Sequence, residues 1–254
     1  MHASKHGIMN RKKTCITVIL ACSVFLVQVP SAMAQIVSPR SSNVQFDNLL
    51  SRGTEINPVY YDEIEGSPFL ENEFKPGTVV MKNGRIFEHI GFRYNMHTDQ
   101  IEFKDEGKIL TFVNPRDLEY VFFGNHRFIY DKYSLKGKPV EGYFKVLADG
   151  YARLLVKRYA EIKSEKMPVS NFGEINYRNY FRITEDYYIT KDGQSLIPVR
   201  KQKRSLLKAL EEKKNEIESF LEASGLDIRN DVDLGEVVFY YNQLMQEEIP
   251  DSGK

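Results

Sequence analysis

Beyond residue 34 the sequence has no cysteine; the two it contains, Cys15 and Cys22, both lie near the start. A disulfide framework, a thiolate nucleophile and a cysteine-ligated zinc are thereby excluded from the rest of the chain. Tryptophan is missing altogether, which weakens a carbohydrate-stacking role despite 15 Tyr and 16 Phe. Three of the five histidines, His89, His97 and His126, lie beyond residue 34. They show neither H-E-x-x-H nor a helical metal-ligand spacing. G-x-S-x-G is also absent, so no serine stands in a nucleophile elbow. Nor does one sign of charge prevail, with 35 basic and 35 acidic residues. The first 34 residues hold Lys5, Arg11, Lys12 and Lys13 and no acid, leaving 31 basic against 35 acidic, a net −4. That balance gives no nucleic-acid footprint and suits a water-facing surface.

What is present begins with an export signal. Arg11, Lys12 and Lys13 precede an apolar run, Thr14 to Val29, that is short and wrongly flanked for a membrane span. Ser31-Ala32-Met33-Ala34 then supplies a small-residue cleavage site. Residues 1–34 are expected to be a secretory signal peptide cut before Gln35, leaving no transmembrane span. Ile19-Leu20-Ala21-Cys22 offers a competing bacterial lipobox with a lipid on Cys22. The apolar residues that follow Cys22 fit it less well, because a lipidated cysteine normally precedes a polar tether. The remaining chain of about 220 residues can bury roughly 70% of its unfolded surface and needs no staple.

Residues 35–77 read as irregular, with Val44 to Leu50 a short helix or strand and turns at Gly66-Ser67-Pro68 and Lys75-Pro76-Gly77. From Thr78 the pattern is strand–turn–strand. Asn83-Gly84 between apolar runs predicts a hairpin with a type I′ turn. Ile101 and Phe103 alternate with polar neighbours, and Tyr120 and Phe122 share a face of a later strand. Turns follow at Asp105-Glu106-Gly107, Gly124-Asn125, Asp149-Gly150 and Asp192-Gly193, with loops at Lys136 to Pro139 and Met167 to Gly173. Such short links permit only antiparallel neighbours. Residues 78–200 are therefore predicted to be a mainly β, antiparallel meander of about ten strands, curled as an open barrel or split into two layers. Tyr143, Phe144, Tyr180, Phe181, Tyr187 and Tyr188 alternate along strands, so about half are expected in the core.

The period changes over 201–249. Leu206, Leu207, Leu210, Ile217, Phe220 and Leu221 recur at helical spacing, with Gly225 as the stop. Asp233 to Glu236 fits a capping box before a second stripe of Leu234, Val237, Val238, Tyr241, Leu244 and Met245. Two amphipathic helices are expected to cover part of the sheet, an α+β arrangement.

Three segments, EGSPFLENEFKPG from Glu65, FRYNMHTDQIEF from Phe92 and VVFYYNQL from Val237, resemble a family of uncharacterised exported β-rich proteins of Bacteroidota. The resemblance spans most of the chain after the leader. It implies an envelope setting and brings no assigned activity, cofactor or site residue.

Candidate chemistry is sparse, and no catalytic residue, metal ligand or cofactor is assigned. His97 and Asp99 share a turn and could meet a metal or form an acid–base pair, although turn chemistry explains Asp99 equally. Glu102 with Asp105, or Glu185 with Asp186, could serve glycoside cleavage, and are more simply solvated strand residues. Asp227, Asp231, Asp233 and Glu236 suggest a calcium loop, but Arg229 stands where an oxygen ligand belongs. Arg200, Lys201, Lys203, Arg204 and Lys208 form the one concentrated basic stretch. Cations at a helix start oppose the macrodipole, so either the helix starts later or the cluster meets an anionic envelope component or an acidic protein. The reading favoured is an exported binding or scaffolding protein without catalysis. A hydrolase or isomerase, or a small-ligand carrier, with its site in the mouth of the curled sheet is the alternative. A pocket where a carboxylate meets one of the three histidines would mark the enzyme.

Overall fold

The computed structural model describes residues 53–56, 61–167, 176–191 and 194–247. The expected leader, Cys22, Val44 to Leu50 and the Asp192-Gly193 turn lie outside them. Eleven strands form one antiparallel sheet: β1 (Gly53–Glu55), β2 (Lys75–Met81), β3 (Ile86–Asn95), β4 (Gln100–Asp105), β5 (Lys108–Phe112), β6 (Leu118–Phe123), β7 (His126–Leu135), β8 (Lys138–Ala148), β9 (Ala152–Lys166), β10 (Tyr177–Lys191) and β11 (Ile197–Val199). Lys75-Pro76-Gly77, expected as a turn, opens β2. Pro76 is tolerated because it faces only β3, before β6 joins at Gly77.

The strand order is β1-β5-β4-β3-β2-β6-β7-β8-β9-β10-β11, which is not a simple meander. From β2 the chain zigzags outward to β5, then returns to pair β6 with the free edge of β2. Only residues 113–117 make that return, through a 3-10 turn at Pro115–Asp117. Fully stretched they reach roughly 20 Å, about the flat distance between strands four places apart. With three of them coiled in the 3-10 turn they fall short of it, so the sheet must curl. Its interior closes on Phe92, which lies 6.1 Å from Phe123 and 6.3 Å from Phe112, ring centre to ring centre. Phe103 and Phe128 complete this core, each such ring contributing roughly 1.5–3 kcal/mol by leaving water. The roll stays open rather than closing into a barrel.

The first hairpin corrects its expected turn. Gly84 has φ 82° while Asn83 stays out of the left-handed region, and Gly84 N–H donates to Met81 O as Met81 N–H donates to Arg85 O. This is a three-residue loop with a glycine bulge, not type I′. Type I′ geometry appears instead at Glu106-Gly107 and at Lys136-Gly137, where both central residues have positive φ. The second of these had been expected as a longer loop. Among the six alternating aromatics, five are buried and only Tyr180 is partly exposed, because β8 and the adjoining halves of β9 and β10 are covered on both faces, while Phe181 is covered by Tyr61 and His97.

β8 and β9 pair only from Lys145 to Ala148, then splay apart. The β3–β4 turn wedges into the gap and takes over the lost ladder bonds. Ala160 N–H donates to Met96 O at 3.2 Å, and His97 Nδ1 meets Ala160 O at 2.8 Å. Tyr143 N–H donates to Asp99 Oδ1 at 3.3 Å, while Lys157 Nζ bridges Tyr143 O at 3.2 Å and Asp99 Oδ2 at 2.7 Å. Asn95 Oδ1 accepts from the N–H groups of His97 and Thr98, and Asp99 sits at φ 54°, a conformation short polar side chains tolerate. Gly142 leaves the space: a Cβ there would lie 2.3 Å from Asp99 Oδ2 and 2.5 Å from Lys157 Nζ.

The helical end holds three helices rather than two: α1 (Lys203–Ala209), α2 (Lys214–Ser224) and α3 (Asp231–Glu247). Leu210 leaves helical geometry, and a 3-10 turn at Glu211–Lys213 redirects the chain, so that Leu206, Leu207, Leu210 and Ile217 enter one core with Leu234, Val237, Val238 and Tyr241. Gly225 ends α2 at φ 69°, as expected. The cap of α3 is Asn230, whose Oδ1 accepts from Asp233 N–H at 2.7 Å; the expected capping box lies inside the helix. Buried Asn242 docks α3 onto the sheet as a strand would. Its Oδ1 accepts from Ala152 N–H at 2.7 Å and its Nδ2 donates to Ala152 O at 2.9 Å.

Asn242→Ala strands both buried Ala152 groups and is expected to cost about 1–3 kcal/mol. Urea denaturation followed by circular dichroism measures it. An unchanged midpoint would mean that the helices do not depend on this latch.

Candidate functional site

On the inner face of β8 to β10 a polar seam separates the phenylalanine core of the roll from the core under the helices. Arg158 of β9 lies at its centre. Its Nε donates to Glu185 Oε1 at 2.6 Å and its Nη2 to Asp231 Oδ2 at 2.8 Å. Tyr187 OH donates to Asp231 Oδ1 at 2.7 Å and also bonds Glu185. Lys201 Nζ reaches Asp231 Oδ1 at 2.8 Å and lies 4.3 Å above the Tyr187 ring. The alternation of the strands explains the assembly. Arg158 opposes Glu185 directly and Val156 opposes Tyr187, so one face carries the arginine, the glutamate and the phenol, and the start of α3 adds Asp231.

The electrostatics follow from that packing. Burial pushes the Asp231 and Glu185 carboxyls up. For Asp231 the bonds from Lys201 and Tyr187 outweigh burial, and for Glu185 those from Tyr187 and Arg158 do, so both titrate below their ordinary range. Burial and the same two carboxylates push the Tyr187 phenol up. Lys145, beside this network, is lowered by burial and then by the Arg158 charge. It lines a depression of about 480 Å³ with Asn125, Asp149, Asp231, Glu236 and Phe239.

The histidines are dispersed. His89 is the extra residue of the β2–β3 bulge, at φ 61°. His97 and Asp99 do not pair, since His97 bonds Ala160 O and Asp99 bonds Tyr94, Tyr143 and Lys157. His126 does meet a carboxylate, Glu71 Oε1, at 2.9 Å. Burial and then Lys145 lower its pKa, and the rings of Phe123 and Phe128 pack on it.

The paired acids come apart in the same way. Glu102 is buried against Arg93 and Asn95. Glu185 turns into the seam while the next residue, Asp186, lies across from Lys157 on the other face. Of the supposed calcium acids, Asp227 holds Arg229, Asp233 accepts from the Asp227 N–H and Asp231 belongs to the seam. Among the described residues no three His, Cys, Asp or Glu side chains are grouped to hold a metal ion.

The basic stretch divides. Helix α1 begins inside it, with no acid in its first turn. Lys201 is consumed by the seam, and Lys203 by Glu218 at 2.8 Å and Glu222 at 3.0 Å. Arg200, Arg204 and Lys208 remain exposed. Arg204 and Lys208, one turn apart, line a groove of about 630 Å³ with Lys203, Lys214, Glu211 and Glu218. Sequence spacing missed Lys214 as a member of this patch, because the break after Leu210 brings it round. Lys145 and Arg158 were missed as well; their signal was a charge set within the apolar runs of strands buried on both faces.

Asp231 and Glu185 contribute stability above the ordinary carboxylate pKa of about 4, and it is lost as pH falls through their lowered folded values. Asp231→Asn should be less stable than the wild type at neutral pH, with the gap closing in acid, as measured by thermal unfolding across pH. A gap independent of pH would contradict the assignment. No protein-family model, no curated protein and no solved structure matches this chain.

Proposed function

We propose that the chain is an exported, non-catalytic binding protein of the bacterial envelope that docks on anionic headgroups through α1 and α2. The expected export signal and the resemblance to exported Bacteroidota proteins support that setting. The observation that carries the reading is the division of the basic stretch. The fold consumes Lys201 and Lys203 in ion pairs and leaves Arg200, Arg204 and Lys208 in water. Arg204 and Lys208, with Lys214, give the groove an excess of positive charge, and Arg200 adds a further exposed cation just before α1. Cations in the first turn of α1 work against its dipole, a local cost that an anionic surface relieves. The interior of the roll, filled by Phe92, Phe103, Phe112, Phe123 and Phe128, favours a scaffold over a small-ligand carrier. The Glu71–His126 contact is the one observation that favours an enzyme, and its burial against two phenylalanine rings suits a structural role better.

Each basic side chain near an anionic membrane contributes about 1 kcal/mol. Replacing Arg200, Arg204 and Lys208 together by glutamate should therefore lower binding to phosphatidylglycerol vesicles by at least about 100-fold at low salt. Co-sedimentation across a salt series measures it. Binding that neither salt nor the triple variant weakens would overturn the proposal.

A further inference from the structure

The β9–β10 hairpin runs past the body of the protein. β8 leaves β9 at Val156, the wedged turn caps the outer edge at Ala160, and no described strand pairs with that edge beyond it. Glu161 to Lys166 are exposed apart from a half-buried Lys163. On the same hairpin Ile162, Tyr177 and Ile183 are 41%, 66% and 44% exposed. The inner edge of the hairpin is bridged at Tyr180 by Glu65, through Phe181 N–H to Glu65 O and Glu65 N–H to Asn179 O, so the uncovered edge is that of β9, which offers backbone donors and acceptors to another strand.

The phase of that edge is fixed. Ala160 directs both its N–H and its C=O outward, to Met96 and His97. By antiparallel alternation Ile162, Ser164 and Lys166 present theirs on the same side. Two copies related by a two-fold axis must set outward residues against outward residues. Centring the pair on Ile162 would use Ala160, which the turn already occupies. Centring it on Lys163, Glu165 or Lys166 sets like charges face to face. Centring it on Ser164 sets Ser164 against itself and Ile162 against Lys166. In the narrow pairs between, Lys163 then faces Glu165 of the second copy, twice.

We propose that the outer edge of β9 is a self-association surface, occupied by a second copy of this chain in an antiparallel pair centred on Ser164. The sheet then runs continuously through both copies. The two Lys163–Glu165 contacts select this register over its neighbours. The patch on α1 and α2 lies outside this contact, so the two proposals succeed or fail separately.

Sedimentation equilibrium should show a dimer that Lys163→Glu weakens on the order of tenfold, since two symmetry-related contacts turn repulsive together. Lys163→Glu with Glu165→Lys should restore it, because the exchange preserves opposite charges. With Cys15→Ser and Cys22→Ser removing the native thiols, Ser164→Cys should form an intermolecular disulfide under copper phenanthroline faster than Lys132→Cys, which is exposed on another strand. In the hydrogen-bonded pair the two Cα atoms stand about 5.5 Å apart, within disulfide reach. A chain that stays monomeric at every concentration would overturn the proposal. So would a dimer indifferent to the charge reversal, or one that gives no preference for Ser164→Cys.

Discussion

Where β8 and β9 part, each exposes backbone groups that would otherwise bond the other strand, and an unpaired buried amide costs as much as a lost hydrogen bond. A turn from the far side of the roll meets that demand. Lys157, 1% exposed at its side chain, lies within 5.5 Å of the Tyr133, Phe144 and Tyr159 ring centres, where an unpaired ammonium would be costly. Burial lowers its pKa, and Asp99 offsets that only in part. The Asp99–Lys157 pair therefore does more than attract: it fixes where the β3–β4 turn sits, and with it the curl of the sheet. Tyr94 OH extends the contact, donating to Asp99 at 2.8 Å and lying 3.4 Å from Arg158 O. Lys157 and Arg158 are adjacent, one on each face of β9. The ion pair that closes the roll is thus rigidly coupled to the seam that receives the helices.

Much of the local structure was legible in the residues. Glu106-Gly107 and Gly124-Asn125 turn where glycine permits it, and the apolar stripe of α3 buries as spaced. The strand order was not legible, because nothing in β6 distinguishes a return to β2 from a step beyond β5; the outer edge of β5 is taken by β1, from a segment that reads as irregular. Nor was Lys157, although Leu154-Leu155-Val156 breaks the alternation of a half-exposed strand and announces burial on both faces. A charge at the end of such a run must find a partner, and that partner, Asp99, is 58 residues away in the sequence. Long-range pairing of this kind leaves no periodicity. The candidate patch was half visible: its charges stand in the sequence, but which of them the fold neutralises depends on Glu185, Glu218, Glu222 and Asp231, placed only by tertiary structure.

The arrangement also separates roles. The roll and its wedge supply rigidity, the seam joins roll to helices, and the two proposed contact surfaces, the basic face of α1 and α2 and the edge of β9, lie apart from both. One is charged and the other offers backbone hydrogen bonds, so the two proposals made for them can be tested independently.

The wedge is tested most directly by a double-mutant cycle on Asp99 and Lys157, read by chemical denaturation. Asp99→Asn leaves a buried ammonium uncompensated and should cost about 3–5 kcal/mol. Adding Lys157→Met removes that charge, so the double variant should recover part of the loss. Two independent losses that simply sum would contradict the account, since they would mean that the two side chains do not depend on each other.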